Sequence, residues 1–293
     1  MTQSQIRPRR SVLYTPAAND RALSKIGRLS CDVIVIDLED SVAPSEKAAA
    51  RQKLATIFSA RPQHVEMAVR INALSGTWGA DDLAAAISCK PDAILLPKVK
   101  TPHDILEAGK LLDRADKDMK IALWAMIETP KGLLNSATIA ELGCDPASRL
   151  TCFVAGTNDL AKETGVTLAD DRRYFLPWLM QMVLAARAGG LDLIDGVYND
   201  FYDVEGFARE CRQAANMGFD GKSLIHPAQI EAANIAFAPS AEALVEARAI
   251  VDIFARSENQ KKGVVALNGR MVERLHLAQA KKCLAKATAV NRK

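Results

Sequence analysis

The sequence predicts an α/β protein, a single (β/α)8 barrel of the TIM type followed by a C-terminal helical extension. Three observations carry that prediction. Eight short apolar, β-branched segments recur at Ser11–Thr15, Val33–Asp37, Met67–Ile71, Ala93–Pro97, Ile121–Ile127, Thr151–Ala155, Leu191–Ile194 and Lys222–His226. Most begin about 30 residues apart, room for one helix and two short loops, which is the βαβ unit of a parallel sheet. Neither a GxGxxG nor a P-loop follows the early strands, which counts against the nucleotide-binding kinds of open doubly wound sheet.

The segments between the strands carry a helical period. Pro44 to Phe58 opens with a serine and a glutamate, then sets Ala48, Ala49, Leu54, Ala55 and Phe58 on one face. Asp81–Ile87, Pro102–Leu112, Leu133–Leu142, Tyr174–Ala188 and Glu205–Met217 follow similar patterns, several ending near glycines suited to helix C-caps. Beyond the eighth strand, Ser240–Glu258 and Met271–Thr288 are expected to be helices, separated by the polar stretch Asn259 to Gly263. The expected division is therefore residues 1–238 for the barrel and 239–293 for a helical extension able to act as a lid.

Length and composition suit one large core. The 293 residues are 49% apolar and 25% charged, and a barrel runs to about 250 residues as one domain. A net charge of +3, from 38 Lys and Arg against 35 Asp and Glu, makes no electrostatic case for nucleic acid or a membrane surface as partner. The basic lean of the tail (Lys281, Lys282, Lys286, Arg292, Lys293) reads as a solvated helix end. No stretch reaches the ~18 apolar residues of a membrane helix, and no apolar run follows the basic N-terminus as in a signal peptide. Six cysteines without a CxxC suit reduced thiols and a cytoplasmic location.

Residues at the C-terminal ends of barrel strands line the active site. Those positions are Thr15, Asp37 through Asp40, Arg70, Lys98, Glu128, Asp159, Asp195 and His226. Carboxylates and cations converging on one rim suit a hard divalent cation and an anionic, oxygen-rich substrate. Glu128 and Asp159 stand 31 residues apart, one βα unit, and so at adjacent strand ends where two carboxylates leave positions open on Mg2+. A helix cap or ion pair is the competing role for any one such acid, and Glu39 and Asp40 precede a helix they would cap. Arg70 suits a bidentate carboxylate clamp, or a structural pair with Asp37 or Glu39. Lys98 has the same two readings, and His226 lacks a Ser or Cys partner for a triad.

Longer motifs go further than spacing. Arg-Arg-Ser-Val-Leu-Tyr-Thr-Pro at 9–16, Asp-Leu-Glu-Asp-Ser-Val at 37–42 with Lys47 and Arg51, and Val-Arg-Ile-Asn at 69–72 resemble the citrate lyase β-subunit-like (HpcH/HpaI) family. So do Leu-Leu-Pro-Lys-Val at 95–99, Ile-Glu-Thr-Pro-Lys-Gly at 127–132, Gly-Thr-Asn-Asp-Leu at 156–160 and Gly-Lys-Ser-Leu-Ile-His-Pro-Ala-Gln at 221–229. The resemblance implies Mg2+ on Glu128 and Asp159, catalytic roles for Arg70 and Asp37, and Arg70, Lys98, Asp40 and His226 against substrate. It implies a carbon–carbon lyase that cleaves or forms a 3-hydroxy-carboxyacyl-CoA, such as malyl-CoA or citramalyl-CoA, giving acyl-CoA and a 2-oxo acid. Alternatives on the same scaffold are a citrate lyase β subunit acting on a citryl acyl-carrier, a CoA thioesterase, or an acyl-CoA-binding barrel without turnover. A homo-oligomer is expected, a trimer or hexamer of trimers, with the lid near a neighbour's site. One departure stands out: Gly-Arg-Met-Val-Glu at 269–273 carries Glu273 where the resemblance leads one to expect a catalytic Asp, one methylene shorter.

Overall fold

The apolar strand segments are apolar on both faces, and that suits strands covered on both sides. In the computed structural model, which describes residues 7–169 and 171–291, eight parallel strands close into a barrel in chain order. They are β1 (Ser11–Pro16), β2 (Val33–Asp37), β3 (Glu66–Arg70), β4 (Ala93–Leu96), β5 (Ala122–Ile127), β6 (Leu150–Ala155), β7 (Asp192–Asp195) and β8 (Gly221–Leu224). One set of alternating side chains, among them Val33, Val35, Ala68, Leu95, Trp124, Met126 and Val154, fills the lumen. The other set, including Ile34, Ile36, Met67, Val69, Ile94, Leu123 and Phe153, packs under the surrounding helices. Cys152 packs inside the barrel and Cys211 beneath the helices, as small hydrophobes. The N-terminal end of the lumen is plugged by Arg9, which bonds Glu66 and Asp192 at the starts of β3 and β7 and lies 4.7 Å over Trp124.

Two helical expectations need revising. The stretch Leu133–Leu142 forms two short helices, Pro130–Leu134 and Ser136–Glu141. The first is set by Pro130 at its start and by Thr129, whose hydroxyl caps the Gly132 N–H. The expected helix from Met271 begins instead at Arg274, because residues 270–273 form a strand, β10 (Arg270–Glu273), antiparallel to β9 (Val264–Leu267). Asn268 and Gly269 turn that hairpin with φ of 50° and 76°, the left-handed pair a type I′ turn requires. By contacts the chain divides into two compact units, Arg9–Phe237 and one built from Ala238 onward. The second contains the helices Ala241–Ala255 and Arg274–Asn291 and the hairpin, around Phe254, Val265, Val272 and Leu277. Among the described residues no helix is long and apolar enough to cross a membrane. Arg292 and Lys293 of the basic tail lie outside the described residues.

Candidate active site

Register brings the first pair together. Asp37 ends β2 and is the direct neighbour of Arg70, the last residue of β3. Nε and Nη2 of Arg70 donate to the two oxygens of Asp37, each at 2.6 Å, in a bidentate pair. Nη1 lies 3.0 Å from Glu39 Oε2 and 3.7 Å from Asp40, and the guanidinium stands 5.0 Å over the Tyr14 ring. Asp37 also accepts from the Glu39 N–H at 2.9 Å and from the Ser41 hydroxyl. Burial alone would raise the Asp37 carboxyl, but Arg70 outweighs it and holds the group below its ordinary range. With its oxygens so engaged, Asp37 is suited to orienting Arg70.

Glu128, directly after β5, is almost wholly buried. Its Oε1 accepts the Lys98 N–H at 2.6 Å, while Oε2 has no hydrogen-bond partner among the described residues. Lys98 presents that N–H from a left-handed backbone, φ 54°, an uncommon conformation for a lysine and one met at functional sites. Gly156 makes room on the other side: a Cβ there would lie 2.2 Å from Glu128 Cβ and 2.9 Å from Oε2. Burial, then the charges of Glu39 and Asp159, push the Glu128 carboxyl up to about 8. Asp159 sits in the first turn of the helix Thr157–Thr164 that follows β6, half-buried, rather than on the strand end itself.

These features fit a divalent cation. A buried, unpartnered carboxylate oxygen crowded by a second carboxylate is relieved by a positive ion between them. No group of three or more His, Cys, Asp or Glu able to hold a metal occurs among the described residues. Two carboxylates suffice for Mg2+, which keeps several waters and takes substrate oxygens in the remaining positions.

Glu39 is the residue that reading the sequence undervalued. It caps no helix; its carboxylate lies between Arg70 and Lys98, 3.0 Å from a nitrogen of each. Burial works against the charged Lys98 ammonium, but the bond to Glu39 outweighs it and raises the lysine. Asp40 is exposed beside this cluster. Asp195 belongs elsewhere. It faces the surrounding helices, where Lys222 reaches it at 2.7 Å and Arg172 at 2.8 Å, a buried network with Glu210. His226 is exposed on the loop after β8, stacked on Phe201 at 4.7 Å, with Nδ1 accepting the Ala228 N–H. Glu273, on β10 of the second unit, is half-buried, and its N–H donates to His276 Nδ1 at 3.0 Å.

A sequence profile of the HpcH/HpaI aldolase/citrate lyase family matches residues 10–227. The chain belongs to this family. Within it, the chain is 45% identical over 287 residues to a (3S)-malyl-CoA thioesterase of Cereibacter sphaeroides, covering 98% of this chain and 97% of that protein. It is 33% identical to the mitochondrial citramalyl-CoA lyase of Rattus norvegicus, over 98% of this chain and 88% of that protein. Among solved structures it resembles the CitE protein of Mycobacterium tuberculosis in complex with magnesium, acetoacetate and coenzyme A. That match has a TM-score of 0.71 and 29% identity, covering 96% of this chain and 98% of that one. The family likeness thus spans the whole barrel, including every rim residue described above.

Proposed function

We propose that the protein is a Mg2+-dependent enzyme acting on a 3-hydroxy-carboxyacyl-CoA of the malyl-CoA type. The observation that carries this reading is the Glu128 carboxylate, whose Oε2 is buried without a partner among the described residues, near Asp159 and the Arg70–Glu39–Lys98 cluster. In this reading Glu128 and Asp159 hold Mg2+, which when bound supplies positive charge to carboxylate and hydroxyl or carbonyl oxygens of the substrate. Arg70, kept rigid by Asp37, binds the substrate carboxylate. Lys98 and Asp40 line the entrance, and His226 contacts the outer part of the substrate. Glu273 serves as acid or base from a neighbouring copy, in a trimer or hexamer of trimers.

Two outcomes share this binding mode. Thioester hydrolysis adds water to the carbonyl carbon, breaks the C–S bond and gives malate and coenzyme A with its thiol reprotonated; the thioesterase relative at 45% identity favours it. Carbon–carbon cleavage removes the hydroxyl proton, breaks the bond to the thioester α-carbon and reprotonates that carbon. It gives acetyl-CoA and glyoxylate, and the citramalyl-CoA lyase relative favours it as the second reading. The deciding experiment incubates the protein with malyl-CoA and with citramalyl-CoA, in Mg2+ or in EDTA, and measures free thiol and 2-oxo acid separately. Mg2+-dependent thiol without oxo acid supports hydrolysis, and oxo acid without thiol supports the lyase. Neither product from either ester sinks the proposal.

A further inference from the structure

The helix Lys47–Ser59 begins with a lysine whose side chain is directed inward, and Lys47 is 6% exposed. Its ammonium donates to the Leu38 carbonyl at 2.9 Å, the Glu39 carbonyl at 2.8 Å and Asn72 Oδ1 at 2.9 Å, and lies 5.2 Å over the Trp78 ring. Every one of these partners is neutral. A buried ammonium is costly without compensation, so three donors spent on neutral oxygens call for a reason.

The clamp's surroundings supply one. Asn72 donates to the same Leu38 carbonyl at 2.9 Å and to Asp82 at 2.6 Å, and Arg51 fixes Asp82 from the other side at 2.9 Å. The chain Arg51–Asp82–Asn72–Lys47 therefore grips two consecutive carbonyls of the turn after β2. That turn carries Glu39, whose N–H is tied in addition to Asp37 at 2.9 Å. With both carbonyls held to one ammonium, the side chain of Glu39 is left to project between Arg70 and Lys98, 3.0 Å from each.

We infer that Lys47 is a positioning residue: it sets the Glu39 carboxylate in the candidate active site while touching no substrate itself. The kinetic part of this inference rests on the function proposed above; the structural part does not. A crystal structure of Lys47→Met tests the latter directly. The Glu39 carboxylate is expected to leave Lys98 and Arg70, and finding it still in contact with both overturns the inference. If methionine prevents folding, Lys47→Gln, which keeps an N–H donor group but is shorter and uncharged, is examined in the same way.

Kinetically, a misplacement of about 1 Å costs on the order of 100-fold, so kcat of Lys47→Met falls by about that factor. KM changes less than kcat, staying within about threefold, since Lys47 itself touches no substrate and Arg70 stays paired with Asp37. In Lys47→Ala, added ethylamine or propylamine enters the vacated site, bonds the two carbonyls and restores part of kcat. A kcat loss that matches the loss of folded protein, and that no amine relieves, overturns the positioning role. If the parent enzyme releases neither thiol nor oxo acid, the functional proposal has failed, and the Glu39 position in the variant crystal still decides the role of Lys47.

Discussion

Replacing Gly156 by alanine perturbs the candidate metal site through a single methyl group. The Gly156 backbone, φ −98° at the cap of the helix Thr157–Thr164, is open to alanine, so the effect is steric rather than conformational. The new Cβ would sit 2.2 Å from Glu128 Cβ and 3.2 Å from its Cα, atoms that no rotation of the carboxylate moves away. Carbon atoms in contact settle at about 3.5–4.0 Å, so β5 and the start of the helix must separate by roughly 1 Å or more. A shift of that size at a reacting centre costs about 100-fold in rate. Metal binding reports it without any substrate. At a concentration 100 times its Kd, Mg2+ stabilises a folded protein by about 2.7 kcal/mol. At roughly 2–4 °C per kcal/mol for a domain of this size, the parent's Tm should rise by about 5–10 °C. Gly156→Ala should show little of that rise and about one-hundredth of the parent's turnover. A variant that keeps both the Mg2+-dependent Tm shift and full turnover would refute the placement of the metal on Glu128.

Four other outcomes are expected. Removing metal with EDTA abolishes thiol or oxo-acid release, and added Mg2+ restores it. Arg70→Met leaves the buried Asp37 carboxylate without its bidentate partner and destabilises by about 3–5 kcal/mol in urea denaturation at neutral pH. Because Asp37 titrates below its ordinary value in the folded protein, the stability it contributes is complete above about pH 4 and is lost as pH falls through the lower, folded-state value. The parent's stability should therefore drop more steeply than the Arg70→Met variant's on acidification below pH ~4. Lys222→Met removes one of the two cations on Asp195, which keeps Arg172, and so costs no more than about 3–5 kcal/mol, while the folded fraction keeps its kcat, as expected of a network outside the lumen. His226→Ala raises KM with kcat unchanged if the exposed ring contacts the outer part of the substrate; a fall in kcat instead would assign it to the chemistry.

Much of the barrel was legible because its signals are local. Val33 to Ile36 is apolar and β-branched throughout, as a strand covered on both faces must be, and with Asp37 at its end it forms β2. Glu128 was legible as a candidate for the same reason, since a carboxylate directly after such a run stands at the barrel mouth; Asp159, four residues past β6, sits instead in the first turn of the next helix. Residues 271–273 show where one local signal masked another. Their apolar pattern continues plausibly into the following helix, while Asn268-Gly269, a two-residue hairpin turn between apolar runs, was a signal available in the sequence and decides for a strand.

The sequence by itself placed the eight barrel strands in order and most of the charged residues of the rim, because periodicity and strand-end position depend on near neighbours in the chain. Only the tertiary structure decided how those charges divide. Asp37, Glu39, Asp40 and Asp195 have the same chemistry and similar positions relative to β2 and β7. Strand register joins Asp37 to Arg70, alternation turns Asp195 outward to Lys222, and the Lys47 clamp places Glu39 between Arg70 and Lys98. Glu128, by contrast, is left buried with its Oε2 unpartnered among the described residues. Pairing and desolvation fall off within a few ångströms, and which groups come that close is settled by barrel closure rather than by spacing along the chain.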